Sequence, residues 1–407
     1  MTTHSHDHRP AVRPVRRRAR AIFAAVLIPA LLATVVAGAV LWPRAQERPV
    51  LETTAPGMTF HRVTVEAVDA AAPDAADQVR GTLGDGTEVW VLVPPEYLSQ
   101  VAPGDRITVA YVAEAAAEGT PYVFVDHVRG PPLAVLAVLF AVGVVLVARW
   151  RGLAALVGLG VSLAVLGTFT LPALLEGRPA LPVALVTSSA IMFVVLYLAH
   201  GFSTRTSTAL VGTLVGLVVT AGLAAWAGDA AHLTGLSGEY ALDLQSSAPL
   251  TDLRAVLLCG MVLAGLGVLN DVTITQASAV WELHAGSPRA SWSELFGRGM
   301  RIGRDHIAST VYTIVFAYLG ASLPLVLLVS ISDRPILQSL TSGEIAEEVA
   351  RTLVGSIGLV LAIPVTTAIA ATAVRSAAHG VLDPAPGGDP DGAPRDGAQH
   401  AAVARRT

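Results

Sequence analysis

The chain has 407 residues, 53% of them hydrophobic and only 14% charged. A soluble domain carries about a quarter charged residues, so the shortage points to lipid, and a net charge of −4 argues against bulk nucleic-acid binding. All 27 basic residues are arginine, a usage that fits a high-GC bacterial genome, and the single Cys259 lies in an apolar run, which excludes a disulfide framework or thiolate metal site.

A membrane span takes about 20 mostly apolar residues. Residues 1–20 form a basic arm in which His4, His6 and His8 alternate. Three histidines on an extended arm lack a preformed site, so no metal or cofactor is assigned. Arg13, Arg16, Arg17, Arg18 and Arg20 precede the first apolar run, Ala21–Leu41, and place the N-terminus in the cytoplasm. Ala37-Gly38-Ala39 offers a cleavage-like triplet. The run exceeds the about 7–15 residues of a signal-peptide core, so residues 21–42 read as an uncleaved anchor.

Residues 43–130 switch to a period of two. Phe60–Val68, Gln78–Leu83, Thr87–Val93, Arg106–Val112 and Tyr122–Val128 read as five strands, with turns at Gly84-Asp85-Gly86 and Pro103-Gly104-Asp105. Five short strands predict a small all-β domain, OB-like or another barrel, outside the cytoplasm. It carries no basic stripe with an aromatic platform, so no nucleic acid is expected as a partner.

Seven further runs follow within residues 131–378: Leu133–Ala148, Leu153–Leu175, Pro182–Leu198, Thr208–Ala227, Leu253–Leu269, Ile307–Val329 and Leu353–Val374. The predicted fold class is therefore an all-α polytopic bundle of about eight transmembrane helices, with the β domain between the first two. Arg149, Arg151, Arg205, Arg289, Arg298, Arg301, Arg304 and Arg375 fall in alternate loops. The opposite loops carry Glu176, Asp229, Glu239, Asp243, Asp252, Asp333, Glu344, Glu347 and Glu348. This bias makes both termini cytoplasmic in a bacterial inner membrane. Residues 379–407, rich in Gly, Pro, Asp and Ala, read as a disordered cytoplasmic tail.

The most informative stretch is Leu253–Leu283, which as one helix would be about 46 Å long. Either it projects beyond the bilayer or it breaks near Gly265 and Gly267. Asp271, Thr275, Ser278 and Glu282 make one polar stripe at helical spacing, flanked by Asn270, Thr273 and Gln276. An ionisable group in a span is costly unless it faces a cavity or bundle interior, and so marks a candidate site. The alternative places Asp271 at the membrane interface.

Ser291-Trp292-Ser293-Glu294 has capping-box spacing, and residues 291–304 read as an amphipathic helix on the cytoplasmic surface. Arg304-Asp305-His306 then stands before the seventh run. Arg298, Arg301 and Arg304 are its nearest countercharges, and a structural ion-pair cluster or a proton or cation pathway both fit these residues. Pro324 and Pro364 interrupt the last two runs. Glu282, His284, Asp305 and His306 would have to converge to bind a metal, and no spacing says that they do. No internal repeat is evident, and there is no P-loop, nucleophile elbow or H-E-x-x-H motif.

The chain resembles the YibE/YibF-like family of bacterial multi-pass membrane proteins through Gly265–Leu283, GLGVLNDVTITQASAVWEL, and Gly299–Leu319, GMRIGRDHIASTVYTIVFAYL. The resemblance implies a permease-like membrane protein and no catalytic residue. It marks Asn270, Asp271, Thr273, Thr275, Gln276, Arg304, Asp305 and His306 as the functional set. A non-enzymatic permease or ion-coupled secondary transporter for a small solute or ion is the first expectation. The alternative is a membrane scaffold or sensor whose β domain binds an envelope protein or component.

Overall fold

A computed structural model describes residues 17–44, 54–55, 57–68, 77–113, 121–238 and 240–378. The histidine-bearing arm, Arg13, Arg16, Glu239 and the expected tail 379–407 lie outside these residues. The chain divides into two compact units. One comprises Ala37–Gly201 and His232–Cys259, and the other Met1–Val36, Phe202–Ala231 and Gly260–Thr407.

The first unit holds β1 (Thr59–Ala67), β2 (Gln78–Leu83), β3 (Glu88–Leu92), the single turn α2 (Pro95–Leu98), β4 (Arg106–Tyr111) and β5 (Tyr122–His127). Alternation places Val63, Val65, Val79, Val91, Ile107 and Val109 inward, each at most 1% exposed. Closing the sheet in the order β1-β2-β3-β5-β4 buries these residues and removes both edges. All pairs are antiparallel except β3–β5. The Gly84–Gly86 turn forms as expected: Gly86 has φ +87°, and the Thr87 N–H donates to Asp85 Oδ1 at 2.9 Å.

The same unit contains α3 (Gly130–Val165), a π-helical turn at Leu166–Thr170, α4 (Leu171–Leu175) and α5 (Ala180–His200). The apolar segment Gly130–Leu175 is 46 residues long, but Arg149 breaks it with φ 54° and ψ −131°. Arg149 falls between the two runs predicted as separate spans. Buried Thr170 and Thr187 share a hydroxyl hydrogen bond of 2.7 Å, joining the π turn to α5.

The second unit is built on α6 (Thr204–Ala230), most of α8 (Leu253–Gly286), α9 (Trp292–Ala321), α10 (Leu323–Ser330) and α12 (Gly343–Ala378), with α11 (Ile336–Leu340) as a short connector and most of α1 (Arg17–Leu41) preceding them, while α7 (Ala241–Ser247) falls in the first unit. One open alternative is decided here, and two expectations, the separate surface helix and the interruption at Pro364, are corrected. The sixth span does not break at Gly265 and Gly267, because α8 runs unbroken for 34 residues. The expected surface helix at residues 291–304 is the first half of α9, a single 30-residue helix. Its capping box forms as read, with Ser291 Oγ accepting from the Glu294 N–H and Glu294 Oε2 accepting from the Ser291 N–H. Leu295, Gly299 and Gly303 on it are buried. The seventh run bends by 76° between α9 and α10, where Pro324 opens the new helix. Pro364, by contrast, lies inside a continuous α12.

Among the described residues, six helices are long and apolar enough to cross a membrane, and the bent α9–α10 pair makes seven if it counts as one span.

Candidate functional site

The polar residues of α8 divide into two faces, and the division differs from the sequence reading. The stripe at Asp271, Thr275 and Glu282 is exposed, with Ser278 half-buried and donating to the Ile274 carbonyl. The flanking residues Thr273 and Gln276 carry the packing instead, at 0% and 2% exposure. Thr273 shares a 2.6 Å hydroxyl hydrogen bond with Thr213 of α6. Gln276 Nε2 donates to the Gly299 carbonyl of α9 at 2.7 Å and to Thr367 Oγ1 of α12 at 2.8 Å. Thr367 in turn donates to the Ile363 carbonyl. One buried amide thus ties three helices together. That is expected where hydrocarbon supplies no competing hydrogen bonds.

Such contacts require small residues. A Cβ on Gly303 would lie 2.6 Å from Ile363 Cγ2, and one on Gly299 2.8 Å from Thr367 Cγ2. A Cβ on Gly212 of α6 would strike the Thr366 hydroxyl, and one on Gly358 of α12 the Thr220 hydroxyl.

Half a turn from Gln276, the signature carboxylate meets the signature imidazole. His306 Nε2 lies 3.9 Å from Asp271 Oδ2; the Asp271 side chain is 70% exposed and that of His306 27%. His306 Nε2 and Asn270 Oδ1 are both shielded from solvent and have no hydrogen-bond partner. Buried polar atoms without partners are unusual, since each carries a desolvation penalty.

Arg301, Arg304 and Asp305 are exposed, and Arg298 donates to Ser287 Oγ at 3.3 Å. Among the described residues Asp271 pairs with His306 and not with an arginine. Of the ten residues singled out, α8 and α9 bring Asp271 and His306 together, Asn270 is half-buried on α8, and Thr273 and Gln276 lie on its buried face. Thr275, Arg298, Arg301, Arg304 and Asp305 remain on the outside. Among the described residues no three His, Cys, Asp or Glu side chains group together.

Sequence reading missed Thr213 and Thr220. The signal was present: Thr206, Thr213 and Thr220 recur every seven residues on α6, and all three are fully buried. A separate cavity of about 310 Å³ opens among α9, α10 and α12, lined by Val315, Tyr318, Leu325 and Glu348 among others. None of the signature polar residues lines it.

Long apolar helices tied by buried polar contacts define an α-helical membrane protein. Residues 136–376, more than half of the chain, match the family described as YibE/F-like protein, and the chain belongs to that family. No curated protein and no solved structure matches.

Proposed function

We propose that this YibE/F-like protein is an ion-coupled permease of the bacterial inner membrane, with Asp271 and His306 as its proton-handling pair. The observation that carries the reading is the 3.9 Å approach of His306 Nε2 to Asp271 Oδ2, with the unpartnered Oδ1 of Asn270 on the neighbouring residue of α8. Histidine changes charge between about pH 5 and 8 as a residue type. A carboxylate that gains and loses a cationic neighbour has two states of different local charge. The unpartnered Asn270 oxygen is a ready acceptor for water or a cation, which would offset the cost of burying it.

The same reading makes the chain eight spans. The break at Arg149 divides the 46-residue segment into two pieces, each close to the about 20 residues one crossing needs. The bent α9–α10 pair counts as one span. Both termini are then cytoplasmic and the barrel lies outside. Its strand order, with the parallel β3–β5 pair, supports the OB-like assignment.

A second reading rests on the barrel surface. Trp90 and Leu92 of β3 and Val125 of β5 stand exposed on adjacent strands, a face suited to an envelope partner in a scaffold or sensor.

The test is proton and sodium flux in liposomes under an imposed gradient, comparing wild type with Asp271→Asn and His306→Gln. Flux in wild type that either substitution abolishes is the expected result. A tight membrane containing correctly folded wild-type protein would reject the permease and favour the scaffold.

A further inference from the structure

The charged residues around His306 lie deeper than the apolar runs suggest. The seventh run, read as Ile307–Val329, would leave Arg301, Arg304 and Asp305 on the cytoplasmic side of the membrane. Helix packing sets another level. A Cβ on Gly303 of α9 would lie 2.6 Å from Ile363 Cγ2 of α12. A Cβ on Gly216 of α6 would lie 3.3 Å from Cβ of Ala362, the residue before Ile363, and 2.8 Å from Leu269 Cδ2 of α8. Gly303, Ala362, Gly216 and Leu269 therefore stand at one level of the bundle. On α6 that level is near the middle of the apolar run Thr208–Ala227, about 12 Å along the helix from Thr208. On α12 it is near the middle of Leu353–Val374. Neither run contains a charged residue.

The helix ends agree with this register. Ile22, at the start of the apolar run of α1, and Ser376, near the end of α12, line one groove. Arg375 donates to the Ala290 carbonyl at 3.2 Å, and Trp292 Nε1 donates to Thr372 Oγ1 at 3.0 Å. The first turn of α9 is thus level with the start of α1 and the end of α12. From Trp292 to Gly303 the helix rises about 16 Å, roughly half of a ~30 Å hydrocarbon layer.

Arg301, Arg304 and Asp305 fall within two residues of Gly303, and all three are exposed. The Asp271 side chain, against His306, is 70% exposed, and Thr275 and Glu282 continue that exposed stripe towards the cytoplasmic end of α8. Charged side chains at such a depth face a wet cavity or another polar surface, not hydrocarbon. Among the described residues Arg301 and Arg304 have no hydrogen bond or ion pair from their side chains. Asp271 is taken up by His306. Arg298, Arg301 and Arg304 then outnumber Asp305, the one carboxylate in their stretch of α9.

We propose that the exposed side of α8 and α9 borders a water-filled cleft within the bilayer, reached from the cytoplasm, in which Arg301 and Arg304 bind a small oxyanion, a carboxylate or a phosphate. A guanidinium offers a planar fork of donors that matches two oxygens of such a group, and it stays charged at physiological pH. The proposal rests on the permease reading and adds its substrate class. The proton handled by Asp271 and His306 offsets the charge of the solute it accompanies.

The experiment uses the full chain carrying Cys259→Ser in phosphatidylcholine nanodiscs. Nitroxide labels are placed at Arg304→Cys and at Val218→Cys, which is exposed on α6 two residues from Gly216. Asp305→Cys replaces the first if it aggregates. The Val218 label should collide mainly with oxygen, and the Arg304 label severalfold more with a water-soluble nickel chelate. Equal nickel collision at both sites would place this level outside the bilayer and overturn the cleft. So would oxygen collision alone at both, or an Arg304 label that meets neither collider because a second copy covers it. Phosphate or succinate, against chloride at equal ionic strength, should raise the thermal midpoint of wild type and not of the Arg301→Gln/Arg304→Gln double variant. No rise with either anion overturns the oxyanion assignment. A rise obtained only with phosphatidylglycerol in the disc assigns the arginines to lipid headgroups and overturns it as well. Oxyanion binding without proton flux in liposomes rejects the permease reading and keeps the site, whereas proton flux without oxyanion binding rejects only the site.

Discussion

The barrel and the helical unit both bury aliphatic clusters, but they differ in what is added to them. The barrel closes on a cluster of valines with Ile107 and Phe124, held by an alternating pattern that puts every second residue inside. The unit of α6, α8, α9 and α12 has aliphatic clusters of its own, such as Val272, Ile314, Leu359 and Ile363, and adds to them close glycine–threonine approach and one shared amide. The difference follows from solvent. An aqueous barrel gains from removing methyl groups from water, at about 25 cal/mol per Å². Helices in lipid gain nothing from that transfer, so close backbone approach and hydrogen bonds decide their pairing. Truncating a side chain should therefore hurt the barrel most, and adding one should hurt the helices most.

The largest effect is expected from Ile107→Ala. Ile107 is fully buried in the barrel core, and such a truncation costs about 2–5 kcal/mol. Hydrogen exchange on the full-length protein should accelerate across β1 and β4, leaving α8 and α12 unchanged. Equal acceleration in α12 would show that the two regions do not melt independently. Next comes Gly358→Val, which drives methyl groups into the Thr220 hydroxyl and should cost about 1–3 kcal/mol as overpacking. A lower thermal midpoint in detergent, partly restored by adding Thr220→Ala, would identify the contact as the cause. A midpoint equal to that of wild type would mean the helices can part at no cost there.

The same contrast explains what could be read beforehand. The five strands emerge within about two residues of their predicted limits, because period-two alternation and the turn glycines Gly84, Gly86 and Gly104 encode register locally. Apolar run length likewise locates the helices, since lipid demands it. Periodicity says nothing about which face of α8 is buried when alanine, glycine and threonine occupy all faces. Asp271 and Glu282 drew attention as charges, yet the face that packs is that of Thr273 and Gln276. The break at Arg149 and the bend after Ala321 were legible too, from the arginines between two apolar runs and from Pro324, whereas the continuity of α12 through Pro364 was not.

A smaller effect sharpens the role of the shared amide. Gln276→Leu keeps volume and removes the bonds to Gly299 and Thr367. Interhelical hydrogen bonds in membranes are worth about 0.6 kcal/mol on average and about 1.7 at most. The thermal midpoint should fall less than for Gly358→Val. A larger fall would mean that polar contacts, and not close packing, hold these helices.

The smallest effect belongs to the barrel's hairpin turn. Asp85 accepts the Thr87 N–H, and that bond holds its carboxyl below the ordinary aspartate range. The sign follows from linkage. A carboxyl whose folded value is depressed stabilises the turn above the unfolded aspartate value, about 3.9, and that stabilisation disappears as pH falls through the folded value. Asp85 is fully exposed, so the effect stays local to the Gly84–Thr87 turn. Asp85→Ala should lower amide protection of β2 and β3 next to the turn at pH 6, and the difference from wild type should shrink towards pH 3. A difference that persists undiminished at pH 3 would assign the turn to Gly86 and its φ of +87° alone. The backbone would then set the register without help from charge.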